Sequence, residues 1–405
     1  MRKILLANAA LTLILVVLMD VAGYFLLPER YVASFPRYRR EFRLVDPIMD
    51  GLPRWYYVAD PVRGFELGKN VKAQYLVEGN LFSVWTNSIG CFDREHFGDS
   101  LYVYFAGDSF TWGHVPYEDN FGTLIEASTG TPIYKCGIEH TGQRHQLDKL
   151  INIIEHGAAV PKAIFVFHFD NDIANDYSYP HSTVIDGWLV DAVVADSNHV
   201  LIHRSREELS SLINARIRNA AIQLRSDSAA FRDPLNRLRR KVSQYSITAN
   251  IVRATVHKFA NGGAPTRPTK YPKLNLYNIP SVVDGRYWYR NNPYARANQQ
   301  ALLAFKAWSE DHGVALVVVL IPRHEVTFKP EFKAELHSFL KFNGIRFMDL
   351  AGVFAQRKLR PEDLYWREDP HFNVTGNAAT ARALVDSFPQ YLGSADRTSL
   401  RISGH

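Results

Sequence analysis

Apolar positions gather in five short runs: Leu101–Ala106, Pro132–Cys136, Ala163–Phe169, Val314–Ile321 and Ile345–Leu350. Stretches such as Val317-Val318-Val319-Leu320 are apolar at every position, the pattern of a strand covered on both faces. Between the runs, apolar residues recur at helical spacing. Leu147, Leu150, Ile151 and Ile154 mark one face. Ala297, Ala301, Leu302, Phe305 and Trp308 mark a second, opened by Pro293 and closed by Gly313. Phe332, Leu336, Phe339 and Leu340 mark a third, closed by Gly344. A last helical segment runs from Val374 to Phe388. Strands alternating with helices predict an α/β fold, a five-stranded parallel sheet in a three-layer α/β/α sandwich.

This rhythm occupies 99–176 and 293–392, with a tail at 393–405. Between the third and fourth strands lies a connection over 177–292, far longer than the dozen or so residues a crossover needs. We read it as an insertion. Its stretch Arg204 to Lys258 carries twelve Lys/Arg against four Asp/Glu, and Leu209, Leu212, Ile213, Ile217 and Ala220 have helical spacing. That predicts a helical, basic insertion: a cap with a solvated basic face, or a surface for anionic lipid or an acidic polymer. Residues 28–98 form an aromatic- and Arg-rich lead-in with short strands such as Leu81 to Trp85.

The amino terminus has a different pattern. After Arg2 and Lys3, Ile4 to Leu27 is apolar except for Asn8, Thr12 and Asp20. About 20 apolar residues span a bilayer, and the run continues through Tyr24-Phe25-Leu26-Leu27 with no clean cleavage site. The expectation is an uncleaved transmembrane anchor over 1–27. The flanking charges conflict: Arg2 and Lys3 favour a cytoplasmic start, whereas Arg30, Arg37, Arg39, Arg40 and Arg43 oppose export of the main domain. Large domains cross despite such charge, so a single-pass protein of the bacterial inner membrane, its main domain in the periplasm, is expected.

Composition narrows the chemistry. Among 405 residues, 47 Lys+Arg against 41 Asp+Glu leave a net charge of +6, spread too thinly for a nucleic-acid binder. Two cysteines build neither a disulfide framework nor a four-thiolate metal site. Cys91 and Cys136 can pair in an oxidising compartment, but Cys136 also suits a buried strand end as a free thiol. Asp170, Asp172 and Asp176 lack the glycine and terminal glutamate of a calcium loop, so no metal or other cofactor is expected. The Asn373-Val374-Thr375 sequon is read as coincidence. Oligomeric state is left open.

Three segments carry candidate chemistry. The first strand runs into Gly107-Asp108-Ser109-Phe110-Thr111-Trp112-Gly113, placing a serine at the carboxyl edge of the sheet, where such folds hold their sites. The third strand ends in Asp170-Asn171-Asp172, where an asparagine amide can meet an oxyanion. Glu368-Asp369-Pro370-His371 precedes the last helix, and a carboxylate near a histidine can hold the tautomer that accepts a serine proton. Each has a plainer reading as a helix cap, a turn cap or a structural pair.

Together these segments resemble the SGNH/GDSL hydrolase superfamily, over roughly 85–390 apart from the insertion. The resemblance implies a flavodoxin-like sheet, Ser109 as nucleophile, His371 as general base and Asn171 as an oxyanion donor. Asp369 is the orienting carboxylate, with Glu368 as the alternative. The family's second motif usually supplies a glycine N–H. Here Lys135 stands in place of its asparagine and His140 in place of its glycine, with Gly142 two residues on as the replacement donor. Thr86 to Asp93 resembles a lead-in of anchored relatives, with Phe92 where an arginine is common. The implied activity is hydrolysis of an acyl ester, of an envelope polysaccharide or lipid. An O-acyltransferase with the same triad, or a binding and assembly protein that keeps the fold, are the alternatives.

Overall fold

In the computed structural model the described residues are 8, 14–20, 52–78, 80–96, 101–195, 200–218, 293–323, 334–367 and 369–393. The chain divides into two units. In the unit of Met1–Gly51 and Asn214–Lys270, residues 8, 14–20 and 214–218 are described, and all are helical. Among the described residues no helix is long and apolar enough to cross a membrane. Most of the anchor expected over 1–27 lies outside them, as do 28–51, most of the insertion and nearly all of the tail.

The second unit, Leu52–Ile213 and Tyr271–His405, opens with two antiparallel hairpins. β1 (Tyr57–Asp60) pairs with β2 (Gly64–Leu67), and β3 (Lys72–Val77) with β4 (Asn80–Trp85). The α/β rhythm comes next: β5 (Val103–Gly107), α1 (Ser109–Trp112), α2 (Phe121–Thr129), β6 (Ile133–Gly137), α3 (Gln143–Glu155), β7 (Ala163–His168) and α4 (Asp172–Tyr177). Two more antiparallel pairs follow, β8 (Ser182–Ile185) with β9 (Trp188–Asp191) and β10 (Val193–Ala195) with β11 (Leu201–His203). The insertion expected to be helical therefore begins as β structure, and becomes helical only from residue 206. The local reason is Asp186-Gly187: both have positive φ (51° and 81°), the two-residue turn whose twist suits a hairpin.

The chain re-enters the sheet through α5 (Pro293–Asp311), β12 (Ala315–Leu320), α6 (Ala334–Phe342) and β13 (Arg346–Asp349). It closes with α7 (Leu350–Gln356), α8 (Pro361–Leu364), α9 (Val374–Ser387) and α10 (Pro389–Leu392). The five core strands are all parallel, in the order β13-β12-β7-β5-β6. This is the 2-1-3-4-5 order of flavodoxin-like sheets, whose winding reverses between β5 and β7.

Side chains alternate strictly between two cores. Val103, Phe105, Phe165, Phe167, Val317 and Val319 face one, with Phe121, Phe354 and Leu384 from α2, α7 and α9. Tyr104, Ala106, Ile164, Val166, Val318 and Leu320 face the other, with Leu150, Leu302 and Leu340 from α3, α5 and α6. Every strand residue in this set is 0% exposed, which explains why the runs are apolar throughout rather than alternating. Each buried Val, Leu, Ile or Phe among them contributes about 1.5–3 kcal/mol relative to exposure.

The first two hairpins are fastened to this frame by polar contacts. Buried Glu66 on β2 takes the Lys149 ammonium of α3 and lies 3.3 Å from His145. Cys91 and Cys136 are joined as a disulfide, Cα atoms 4.8 Å apart, tying the segment after β4 to the end of β6. Closing a 45-residue separation corresponds to about 4 kcal/mol of chain entropy in the unfolded state.

Candidate active site

β5 ends at Gly107 and the chain turns at once into α1. The Asp108 carboxylate accepts the Phe110 N–H at 3.1 Å and so caps this single turn, setting Ser109 as its first residue. The segment before α9 is shaped by Asn373. Its side-chain oxygen accepts the Gly376 N–H at 2.9 Å, while its amide donates back to the carbonyls of Asp363 and Tyr365 at 3.1 and 3.0 Å. The Trp366 N–H donates to the His371 carbonyl at 3.0 Å. The asparagine of the sequon is thus a helix cap that holds the histidine loop closed.

These two local structures meet. His371 Nε2 is 2.7 Å from Ser109 Oγ, and Nδ1 is 2.5 Å from Asp369 Oδ1. Asp369 Oδ1 also accepts the His371 backbone N–H at 3.0 Å. With Nδ1–H donating to the carboxylate, Nε2 is left as an acceptor for the serine proton. Ser109 is 9% exposed, and both His371 and Asp369 are partly buried. Burial alone would raise Asp369. The charges on His114 and His371, with the two hydrogen bonds from His371, outweigh burial and hold the carboxyl well below the usual range. Glu368, the alternative orienting carboxylate, lies outside the described residues.

Asn171 follows β7 and stands at the start of α4, where its side chain favours the charged form of Asp108, one residue from Ser109. Asp108 is fully buried, and burial pushes its carboxyl up against the opposing pull of Phe110, His371 and Asn171. Gly142 precedes α3. A Cβ there would come within 2.8 Å of the Asp176 backbone nitrogen, so the glycine has a packing role whether or not its N–H meets an oxyanion. His140, in the place of the family's usual glycine, adopts φ 62°, a left-handed conformation that histidine tolerates better than most side chains. The three aspartates after β7 diverge. Asp170 pairs with Arg323 at 2.6 Å, Asp172 accepts from Gln143 at 2.5 Å, and Asp176 accepts the Arg144 N–H at 2.9 Å.

Four neighbours of the triad were not foreseen. The ring of His114 lies flat on that of His371, centroids 3.6 Å apart and planes within 6°. Its Nδ1 is 3.0 Å from the Tyr75 hydroxyl and 3.6 Å from Asp369 Oδ2. Its Nε2 is 3.1 Å from Glu139 Oε1, out of line with the N–H, so that contact is ionic more than directional. Glu78 Oε1 accepts the Asp369 backbone N–H at 3.3 Å. Glu139 falls inside the segment from Lys135 to Gly142 singled out from the sequence, and His114 lies one residue past Gly113, the end of the serine segment. Tyr75 and Glu78 carry no signal there.

His114, Asp369 and His371 each bring a ligand atom to within 4.8 Å of the others, a spacing a metal ion could use. An ion bound there would displace the Asp369–His371 hydrogen bond or the Ser109–His371 one.

Fold and site together define an open, doubly wound α/β protein with a serine–histidine–aspartate relay at the switch point of its sheet. No protein-family model and no curated protein matches the chain. Among solved structures it is similar to a member of the lipolytic protein G-D-S-L family from Veillonella parvula DSM 2008. Identity is 11% over 72% of this chain and 99% of the other, with a TM-score of 0.34. It is similar also to a protein assigned to the lipolytic G-D-S-L family from Desulfitobacterium hafniense DCB-2, at 11% identity over 71% of this chain and 100% of the other, with a TM-score of 0.33. Likenesses this slight carry no argument about function, which is argued from the geometry of the site.

Proposed function

We propose that the chain is a serine esterase of the SGNH/GDSL type. The observation that carries this reading is the continuous relay of 2.7 and 2.5 Å from Ser109 through His371 to Asp369. Ser109 Oγ attacks an acyl carbonyl while its proton passes to His371 Nε2. The tetrahedral adduct then expels the alcohol, which takes that proton, and water, deprotonated by the same histidine, releases the acid. The Ser109 N–H and the Asn171 amide receive the oxyanion, with the Gly142 N–H as a third donor.

The proposed substrate is an acyl ester of an envelope carbohydrate or lipid, and the proposed location is the outer side of a bacterial inner membrane. Two features support that placement: the apolar run Ile4 to Leu27 and the Cys91–Cys136 disulfide, since disulfides persist in oxidising compartments.

Labelling of the full chain by a fluorophosphonate tests the nucleophile. Wild type is expected to label and Ser109→Ala not to; an unlabelled wild type, or a labelled Ser109→Ala, overturns the assignment. Asn171→Ala is expected to lower turnover of p-nitrophenyl acetate by about a hundredfold, the usual loss for one oxyanion donor. Unchanged turnover would remove Asn171 from the site.

A further inference from the structure

His114 is 4% exposed and held on every side. One face lies on His371 at 3.6 Å, while Tyr75 and Trp112 meet it edge-on, each with centroids 5.3 Å away. Its backbone carbonyl accepts the Trp366 indole N–H at 3.0 Å, from the loop that carries His371. Beyond it, Glu139 is anchored by the Tyr57 hydroxyl at 2.5 Å. Asp369 therefore serves two imidazoles: Oδ1 takes His371 and Oδ2 faces His114. Phe110 flanks His371 with centroids 4.8 Å apart.

We propose that His114 is a positioning residue for His371: its flat stack and its share of Asp369 fix the plane in which the His371 ring meets Ser109. The inference rests on the reading of Ser109, His371 and Asp369 as a hydrolytic triad. An imidazole that must accept and return one proton gains from a ring that cannot tilt, because small misplacements of a catalytic group are costly.

Charge is part of the device. The groups facing His114 are Asp369 and His371 before α9, Glu139 after β6, Tyr75 on β3 and Asp108 before α1. Burial pulls its pKa down, but Asp369, Glu139 and Asp108 together hold it above the ordinary histidine value. The network thus favours the charged form of His114 beside the ring that must accept a proton, with Asp369 and Glu139 as the opposing charges.

The test uses the full chain and a fluorophosphonate, with the rate constant of Ser109 labelling followed from about pH 5 to 9. His114→Phe keeps a flat ring but loses both nitrogens, and is expected to slow the bond-forming step about tenfold; His114→Ala loses the stack as well and should slow it about a hundredfold. The probe's binding constant is expected to stay unchanged. In both variants the low-pH limb should move to higher pH, since a proton reaching His371 no longer meets a neighbouring cation. Tyr75→Phe, which removes one hydrogen bond, should shift the limb the same way by less. Folded His114 variants that label at the wild-type rate with the wild-type profile overturn the inference and leave the ester reading standing. Should the His114 variants not fold, an unchanged Tyr75→Phe overturns it. A wild type that does not label overturns both.

Discussion

Asp369 and Asp176 are acids withdrawn from water beyond the carboxyl ends of one sheet, yet they are treated in opposite ways. Asp369 faces two imidazoles and is held ionised. Asp176 accepts from the Arg144 backbone N–H and the Asn298 amide, and burial pushes its pKa up to about 7 despite both. Asp172, beside it, has the same kind of partners in Gln143 and the Phe169 N–H, and is also raised. Neutral donors replace the hydrogen bonds that water supplied but not the solvation of the charge; a nearby cation does. The chain thus keeps Asp369 charged beside two imidazoles, and raises the pKa of Asp172 and Asp176 in the amide network between α3, α4 and α5.

The strongest way to break this contrast is Asp369→Asn. An amide can accept the His371 Nδ1–H only if its own N–H₂ finds a place opposite His114, and the wrong tautomer costs about ten-thousandfold in turnover. We expect that loss in kcat for p-nitrophenyl acetate, with circular dichroism unchanged. A loss of tenfold or less would mean that Asp369 does not orient His371.

The amide network is sharpened by pH. Folding raises the Asp176 pKa, so the folded chain binds that proton more tightly than the unfolded one. Its contribution is fully present below the unfolded value of about 4 and is lost as pH rises through about 7. Wild-type melting temperature should therefore fall between pH 5 and pH 8, and Asp176→Asn should flatten that slope. The gap at pH 8 is at most about 4 kcal/mol. An equally steep slope in the variant would show that Asp176 is ionised throughout.

Lys135 carries the comparison to a buried cation and gives the smallest effect. Its ammonium lies 4.5 Å from the Phe92 ring centre and 5.0 Å from that of Tyr117, 1% exposed and without a hydrogen-bond partner among the described residues. Burial lowers its pKa to about 8, with Asp93 pulling the other way. The folded chain holds that proton less tightly than the unfolded one, so the cost is present in full below about pH 8 and fades as pH rises towards 10. Lys135→Met should melt about 2–4 °C higher at pH 7, roughly 1 kcal/mol after the lost cation–π contacts are counted. The two proteins should converge near pH 10. A lower melting point for Lys135→Met would show the aromatic rings to be worth more than the lost hydration.

The motif residues were legible because each sits at a fixed offset from a recognisable strand or helix: Ser109 two past the end of β5, Asn171 three past β7, and His371 three before α9. The β8–β9 hairpin had a local signal in its Asp186-Gly187 step, but the basic, helix-spaced stretch after it dominated the reading of the insertion. Glu139 stood within a motif segment and His114 just past one, but neither was visible as a neighbour of the triad. Tyr75 and Glu78 gave no signal at all, because they come from the lead-in rather than from the α/β frame.

By itself the sequence determined the sheet. A strand covered on both faces must be apolar at nearly every position, and the central runs have that pattern; with the helix-spaced segments between the runs, they admit few arrangements. It also determined which side chains end at the carboxyl edge, since strand length alone decides that. Only the tertiary structure decided that a carboxylate would serve two histidines, that Lys135 would lie against Phe92 and Tyr117, and that Cys91 would reach Cys136. The physical reason is that stacking, ion pairing and disulfide closure depend on distances of a few ångströms between residues far apart in the chain, and those distances are set by how the hairpins dock, which no local periodicity encodes.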